Sequence, residues 1–210
     1  MIRIIIADDH AIVRQGLRQM LAGMNDMELV GEARDAAELL ELFRKQSCDV
    51  VVLDVSMPGR SGLEVLEELR SEHPHVAFLM LTMHPQGQYA VRALKAGAAG
   101  YLTKDSAPAE LITAIRRVAA GGKYITAALA ETLADYLGSK TDKPPHESLS
   151  DREFEVLRRI GAGKTVSEIA EELFLSPNTI STYRARLLEK LNLRNNAELI
   201  HYAITNRLIE

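Results

Sequence analysis

Short apolar segments alternate with longer amphipathic segments through the first 120 residues of the chain. A continuous apolar run is typical of a strand buried on both faces, whereas apolar residues at three- and four-residue spacing predict a helix. Five such alternations predict a doubly wound α/β domain, in which helices cover both faces of a five-stranded parallel sheet. The predicted strands are Ile4–Ala7, Leu29–Ala33, Val50–Leu53, Val76–Leu81 and Gly100–Thr103.

A further helical pattern follows this domain at residues 126–138. Residues 139–148 are polar, contain two prolines and lack periodicity, so we expect a flexible linker there. We therefore predict a first domain at 1–121, a linker helix and flexible linker at 122–148, and a second domain at 149–210. The predicted helices of the first domain lie near 11–22, 36–47, 62–72, 86–96 and 108–120.

The second domain shows helix-start signals instead of strands. Ser150 with Glu153 and Thr165 with Glu168 have the spacing of capping boxes, in which each side chain accepts a hydrogen bond from the other residue's backbone. Ser176 before a proline predicts a third helix start, and a last helix is expected from Asn195 to about residue 206. The pattern predicts an all-α domain of four helices.

Composition excludes several classes of protein. The 210 residues contain no apolar run of the length needed to span a bilayer and a single cysteine, Cys48, which we expect to be a buried structural thiol. We therefore expect a cytoplasmic protein without a disulfide framework and without membrane contact. Residues 149–210 hold 9 Lys and Arg against 9 Asp and Glu, so their net charge is zero. Nucleic-acid binding would need a local arrangement of charge.

Polar side chains follow four of the predicted strands. Asp8 and Asp9 follow the first strand, Asp54 the third, Thr82 the fourth and Lys104 the fifth. Parallel sheets bind ligands at the carboxyl ends of their strands, beside a reversal of strand order. Each residue also has an ordinary explanation: the first two acids as helix caps, the threonine as a strand former and the lysine as a surface residue. The agreement of four strand ends favours one site.

The chemistry of this set predicts phosphoryl transfer. Carboxylates held close together repel each other unless a cation intervenes, and Mg2+ accepts carboxylate oxygens while leaving room for phosphate. Lys104 supplies a positive charge for an oxyanion, and Thr82 can donate a hydrogen bond to it. Asp54 is the candidate acceptor, because it follows a central strand between the other groups.

The first domain resembles the receiver domain of response regulators. The resemblance rests on Asp8-Asp9, Asp54 followed by Met57-Pro58 and Gly62, Thr82, and Tyr101 with Lys104. It implies a flavodoxin-like fold and a phosphohistidine donor on a sensor histidine kinase. It also implies that Asp9, Asp54 and the Ser56 backbone carbonyl bind Mg2+ with help from Asp8. Lys104 and Thr82 would contact the phosphoryl group, and Tyr101 would turn inward with Thr82.

The spacing of the predicted helices at 165–173 and 176–191 is that of a helix-turn-helix, whose second helix enters the major groove of DNA. A small helical interaction domain is the alternative that spacing alone leaves open. Backbone N–H groups at the two helix starts can hold phosphates. The candidate DNA-binding residues are Thr165, Ser176, Asn178, Thr179, Ser181, Thr182, Arg184, Ala185, Arg186 and Lys190.

The second domain resembles the LuxR-type DNA-binding domain. The resemblance rests on Leu149–Leu157, Gly163, Glu168–Ala170, Leu175-Ser176, Thr179-Ile180 and Lys190-Leu191. With the receiver, it is similar to the NarL/FixJ class of transcriptional regulators. The resemblance implies binding to double-stranded promoter DNA as a homodimer formed on activation, with RNA polymerase as a further candidate partner. The stripe formed by Ala197, Ile200, Ala203 and Ile204 is a candidate surface for its own domain or for a second copy.

Two other functions compete with a phosphorylation-switched regulator. One is a phosphatase with an aspartyl-phosphate intermediate, but haloacid-dehalogenase-like enzymes carry a second Asp where this chain has Ser56. The other is a DNA-binding protein that does not depend on phosphorylation, which the intact acceptor site disfavours. The sequence therefore favours a regulator and not an enzyme.

Overall fold

The computed structural model describes residues 1–83, 88–138, 144–206 and 208–209. The chain divides into two compact units, Met1–Ser139 and Lys140–Glu210. The first residues of the helix predicted at 86–96, and residues 139–143 of the predicted linker, lie outside the described residues. Among the described residues, no helix is both long and apolar enough to cross a bilayer.

The first unit contains a parallel sheet of five strands in the order β2-β1-β3-β4-β5. Neighbouring strands run parallel because each connection between them crosses over through a helix. This confirms the doubly wound α/β fold. The strands are β1 (Ile2–Ala7), β2 (Met27–Ala33), β3 (Val50–Leu53), β4 (Ala77–Thr82) and β5 (Gly100–Thr103).

Helices cover both faces of this sheet, since successive side chains of a strand point to opposite faces. Ile4 and Ile6 of β1 pack in one core with α1 and α5, while the intervening Ile5 is also fully buried. The helices of this unit are α1 (Ala11–Ala22), α2 (Ala36–Lys45), α3 (Gly62–Glu72), α4 (Gln88–Lys95), α5 (Pro108–Ala119) and α6 (Ala127–Gly138).

The helix predicted within the linker, α6, belongs to the first unit and packs against its helix α4. Lys95 Nζ of α4 lies 4.3 Å from the centre of the Tyr136 ring, and Leu129 is fully buried. At the other end of the predicted linker, His146 is buried and its Nδ1 lies 2.9 Å from the Tyr202 hydroxyl of the second unit. The described parts of segment 122–148 therefore have contacts with one unit or the other, and the domain boundaries at 121 and 149 stay a prediction.

The second unit is helical. A short 3-10 turn, Pro145–Ser148, precedes α7 (Asp151–Gly161), α8 (Val166–Glu172), α9 (Pro177–Lys190) and α10 (Asn196–Thr205). Both predicted capping boxes are present, and Ser176 and Asn195 each accept from a backbone N–H three residues later. These caps satisfy backbone donors at each helix start that would otherwise lack a partner.

Ion pairs join the helices of the second unit across their ends. Arg159 of α7 lies 3.2 Å from Glu172 of α8, and Lys190 of α9 lies 2.7 Å from Glu153 of α7. Within α7, Arg159 also lies 3.1 Å from Glu155. Burial raises the pKa of Glu153, but hydrogen bonds from Lys190 and Ser150 and the Lys190 charge together outweigh it, so the pKa lies below its usual value. Part of the basic charge of this unit is therefore neutralised internally.

Candidate functional site

The predicted acids meet at the reversal of strand order. Strand β1 lies between β2 and β3. The chain passes from β1 to β2 on one side and then crosses to β3 on the other, and such a reversal leaves a crevice at the carboxyl ends of β1 and β3. Asp8 follows β1 and Asp54 follows β3, and each is 2% exposed. The backbone N–H of Asp54 donates to Ala7 at 2.8 Å, which extends the pairing of these two strands as far as the acids. The sheet register thus brings two carboxylates together in a buried position.

Lys104 holds these two carboxylates. Its Nζ lies 2.7 Å from Asp54 Oδ2 and 2.8 Å from Asp8 Oδ2, and its side chain is only 6% exposed. Burial raises the pKa of Asp54 to about 6, although the Lys104 charge lowers it. Burial lowers the pKa of Lys104, but the Asp54 and Asp8 carboxylates raise it above its usual value. The lysine therefore stays charged, and the pKa of the candidate acceptor Asp54 lies close to neutral pH.

His10 completes the cluster, and the sequence prediction did not include it. Its Nδ1 lies 2.6 Å from Asp9 Oδ1 and 3.3 Å from Asp8 Oδ1. A histidine directly after two acids was the available signal. Arg14 is a second residue that sequence reasoning missed: its guanidinium donates to the Asp8 carbonyl at 2.6 Å and fixes the loop before α1.

The oxygens of this cluster fit a hard divalent cation. Ligand atoms of Asp8, Asp9, His10 and Asp54 all lie within 4.8 Å of one another. Asp9 Oδ1 is buried and has no hydrogen-bond partner among the described residues, since the nearby His10 Nδ1 is not oriented to donate to it. A buried carboxylate oxygen without a hydrogen bond needs a cation. Asp8, Asp9 and Asp54 are therefore suited to bind Mg2+.

The loop after β3 is fixed by close approach of backbone to backbone. The N–H of Gly62 donates to Val55 at 2.8 Å, and a Cβ atom at position 62 would lie 1.9 Å from the Asp54 carbonyl oxygen. Ser56, whose backbone carbonyl was predicted to bind the metal, lies in this loop and donates its N–H to Asp54 Oδ1 at 3.3 Å. Glycine at 62 thus sets the position of the loop on which the Ser56 carbonyl depends.

Thr82 and Tyr101 lie on the strands beside the acids. Thr82 ends β4 and is fully buried, and its carbonyl accepts the Lys104 N–H at 2.8 Å. Tyr101 lies in β5 and its ring is also fully buried. The pairing of β4 with β5 therefore brings the predicted hydroxyl and ammonium groups to the same sheet edge.

In the second unit, α8 and α9 are joined by a turn of the kind expected between the helices of a helix-turn-helix. Phe174 in this turn has a φ of 54° and is 67% exposed. Ile180 and Leu187 are fully buried and hold α9 against the rest of the unit. The opposite side of α9 is therefore available to a partner.

The candidate DNA contacts differ in exposure. The side chains of Thr179 and Arg184 are partly buried, and Arg184 Nε donates to Asn196 at 2.5 Å. Lys190 is exposed but paired with the buried Glu153. The exposed candidates are Thr165, Ser176, Asn178, Ser181, Thr182, Ala185, Arg186 and Lys190.

The apolar stripe predicted on α10 is partly buried and partly exposed. Ala203 is fully buried and faces Gly161 of α7, whereas Ala197 is exposed and Ile204 is 58% exposed. One part of the stripe packs within its own domain and the other part lies at the surface.

Two family models match the chain. Residues 4–116 match the model described as "Response regulator receiver domain". Residues 147–203 match the model described as "Bacterial regulatory proteins, luxR family".

Curated relatives match over nearly the full length. The response regulator UvrY of Escherichia coli strain K12 is 38% identical over 209 residues, which cover 99% of this chain and 96% of UvrY. The response regulator GacA of Pseudomonas aeruginosa strain PAO1 is 36% identical over 212 residues, which cover 100% of this chain and 99% of GacA.

Solved structures of RcsB are also similar. The Salmonella typhimurium RcsB response regulator, described for its conformational dynamism in DNA interaction, has a TM-score of 0.60 and 30% identity, covering 98% of this chain and 100% of that one. An RcsB–DNA complex has a TM-score of 0.61 and 29% identity, covering 96% of each chain.

We expect Gly62→Ala to lower the free energy of unfolding of the first unit by about 1–3 kcal/mol, because the added Cβ would displace the Asp54 backbone. The matched control is Gly16→Ala, since position 16 lies in α1 with nothing within 4 Å of an added Cβ, and alanine there should stabilise by about 1 kcal/mol. Urea unfolding followed by circular dichroism measures both. Equal effects of the two variants would contradict the close approach at Gly62.

Asp54→Asn should make the metal-free protein more stable at pH 8, by about 1–3 kcal/mol. The folded protein binds the Asp54 proton more tightly than the unfolded chain, so this acid costs stability as pH rises from its ordinary pKa of 3.8 to about 6. The advantage of the variant should therefore disappear as pH falls through this window. Urea unfolding in EDTA between pH 4 and pH 8 measures it.

Asp26→Asn provides a control of opposite sign. The hydrogen bond from Arg116 lowers the pKa of Asp26, so its contribution to stability is present above its ordinary pKa and is lost as pH falls. This variant should be slightly less stable than the wild type at pH 8. A parallel response of the two variants to pH would contradict the assignment of the Asp54 shift.

Proposed function

The chain belongs to the two-component response regulators that join a receiver domain to a LuxR-type DNA-binding domain, and we propose that Asp54 is the residue through which a sensor histidine kinase switches it. It is a DNA-binding transcription regulator and not an enzyme. The observation that carries the proposal is the pair of buried carboxylates, Asp8 and Asp54, held by the single Lys104 ammonium at the reversal of strand order.

In the proposed reaction, an Asp54 carboxylate oxygen attacks the phosphorus of a phosphohistidine on the kinase. The P–N bond breaks, the aspartyl phosphate forms and the histidine leaves as a neutral imidazole after taking up a proton. A carboxylate attacks only in its ionised form, and a pKa of about 6 leaves Asp54 mostly ionised at neutral pH. Burial raises the pKa of the nucleophile without removing its charge under these conditions.

Asp9, Asp54 and the Ser56 backbone carbonyl would hold Mg2+, and Asp8 would assist in part through water. Bound Mg2+ neutralises charge on the phosphoryl oxygens during transfer. Gly62 keeps the Ser56 loop close to the Asp54 backbone, so the carbonyl and the carboxylate are positioned by one contact.

Lys104 and Thr82 are the proposed contacts of the new phosphoryl group. Lys104 is already paired with Asp54, so its Nζ is placed to pair with phosphoryl oxygens once the carboxylate is esterified. The Thr82 hydroxyl would donate to the same group, and Tyr101 would stay packed inward with it. Phosphorylation would then favour one of two receiver states, and that state would favour the DNA-binding homodimer.

The proposed output is promoter DNA bound by α9 and by the helix starts at Thr165 and Ser176. Similarity to RcsB, which has been described as dimers bound to DNA, supports two copies on two half-sites about one DNA turn (~34 Å) apart. Arg186 is exposed on α9 and would contact the duplex. RNA polymerase is a further candidate partner at the promoter.

Phosphorylation of the chain by acetyl phosphate in Mg2+ should add the mass of one phosphoryl group, and Asp54→Asn should abolish the addition, because the amide is not a nucleophile. Asp105→Asn alters an exposed carboxylate beside Lys104 and should leave the addition intact. Intact-protein mass spectrometry measures both. Equal phosphorylation of the wild type and Asp54→Asn would overturn the assignment.

Arg186→Ala should weaken binding to a promoter fragment retained by the phosphorylated protein and reduce the slope of log affinity against log salt by about 1 if the contact is to phosphate. Arg44→Ala is the control, since Arg44 is an exposed arginine of the first unit. Fluorescence anisotropy at several salt concentrations measures both.

A separate experiment compares the DNA affinity of the wild type with and without beryllofluoride, which mimics the phosphoryl group on Asp54. Equal affinity would favour a DNA-binding protein that does not depend on phosphorylation.

A further inference from the structure

The side chain of His10 does not serve the helix that it precedes. His10 is the N-cap residue of α1, but its ring makes no capping hydrogen bond to the described helix. Serine, threonine, aspartate and asparagine are the residues that usually fill this position for capping. The imidazole Nδ1 instead hydrogen-bonds Asp8 Oδ1 at 3.3 Å and lies 2.6 Å from Asp9 Oδ1. Its position therefore serves the acid cluster.

The distances within the cluster are close to those between the ligands of one ion. Around an octahedral ion with metal–ligand distances of about 2.1 Å, adjacent ligand atoms lie about 3.0 Å apart and opposite ones about 4.2 Å apart. His10 Nδ1 lies 2.6 Å from Asp9 Oδ1 and 3.3 Å from Asp8 Oδ1. The set as a whole, with Asp54, spans no more than 4.8 Å. Small side-chain movements would bring the imidazole into the coordination shell.

The backbone holds the imidazole in this position. The N–H of His10 donates to Asp8 Oδ1 at 2.8 Å, and Arg14 donates to the Asp8 carbonyl at 2.6 Å. The ring is 58% exposed on its outer side, so an ion can approach it from solvent. The ring therefore lies beside the cluster on a backbone that two hydrogen bonds hold in place.

We propose that His10 Nδ1 is a further ligand of this site and gives it a preference for a first-row transition ion such as Mn2+ over Mg2+. Mg2+ takes oxygen ligands, whereas an imidazole nitrogen favours transition ions. This inference rests on the proposed function in one respect, namely that the same carboxylates of Asp8, Asp9 and Asp54 bind the metal ion. In the metal-free site His10 Nδ1 hydrogen-bonds Asp8 Oδ1 at 3.3 Å, so Nδ1 carries a proton that is released to solvent when the ion binds. The neutral imidazole then keeps its proton on Nε2 and contributes the Nδ1 lone pair, while the acids supply the charge.

Electron spin echo spectroscopy of Mn2+ bound to the full-length protein tests the ligand directly. We expect nitrogen modulation from a coordinated imidazole, altered when histidine is labelled with 15N and absent in His10→Asn. Asparagine keeps a good N-cap residue at this position. His75→Asn is the matched control, because His75 is an exposed histidine of the same unit whose ring contacts His73, with centroids 6.2 Å apart.

Competition between Mn2+ and Mg2+ supplies a second measurement. The ratio of the Mg2+ to the Mn2+ dissociation constant should fall about 10-fold or more in His10→Asn and stay unchanged in His75→Asn. Wild-type protein without nitrogen modulation, or an unchanged ratio in His10→Asn, overturns the inference. If His10→Asn does not fold, His10→Gln replaces it, and the labelled wild-type spectrum still decides whether any histidine is a ligand.

Phosphorylation of the same preparations in Mg2+ separates this inference from the proposed function. Asp54 phosphorylation without nitrogen modulation removes His10 from the metal site and leaves the switch intact. Nitrogen modulation without Asp54 phosphorylation supports the metal site and removes the proposed switch.

Discussion

The ion pairs from Lys104 to Asp8 and Asp54 are the interaction on which the arrangement of the candidate site depends. Two carboxylates that are 2% exposed would each cost several kcal/mol if they were unpaired. One ammonium shared between them offsets part of that cost and leaves the pKa of Asp54 at about 6. In the proposed reaction, Lys104 would exchange this carboxylate partner for the phosphoryl oxygens. Lys104 can sit there because β5, two strands away from β3, ends at the same sheet edge.

The second domain uses its charges in a different way. Its basic residues equal its acidic residues in number, and several of them, among them Arg159 and Lys190, are paired with glutamates of α7 or α8. These pairs fix the helices of the domain against one another. The remaining candidate contacts for DNA are the exposed side chains of α9, among them the cation Arg186, and the N–H groups at two helix starts. Affinity for DNA should therefore depend on the geometry of two domains placed together on two half-sites.

Sequence patterns located most elements but misplaced several ends. Strand β1 begins at Ile2 and β2 at Met27, two residues before the predicted starts, because Ile2 pairs with Met27 and Arg3 with Glu28. Polar residues at the edge of a strand hide it from a search for apolar runs, although backbone pairing continues through them. The burial of His146 against Tyr202 could not be predicted either, because the two residues lie 56 positions apart and local patterns report only on neighbouring residues.

Local signals in the chain were sufficient for the fold class, the helix starts and the acids of the site, because apolar periodicity, capping residues and the ends of strands are all properties of neighbouring residues. Tertiary structure alone decided which polar groups share protons and charge. Lys104 with Asp8 and Asp54, Lys190 with Glu153 and the approach of Gly62 to the Asp54 backbone all depend on strand order or helix crossing. The orientation of His10 belongs with them, since a side chain beside two acids can cap, face solvent or bind a metal, and only the packed site selects among these.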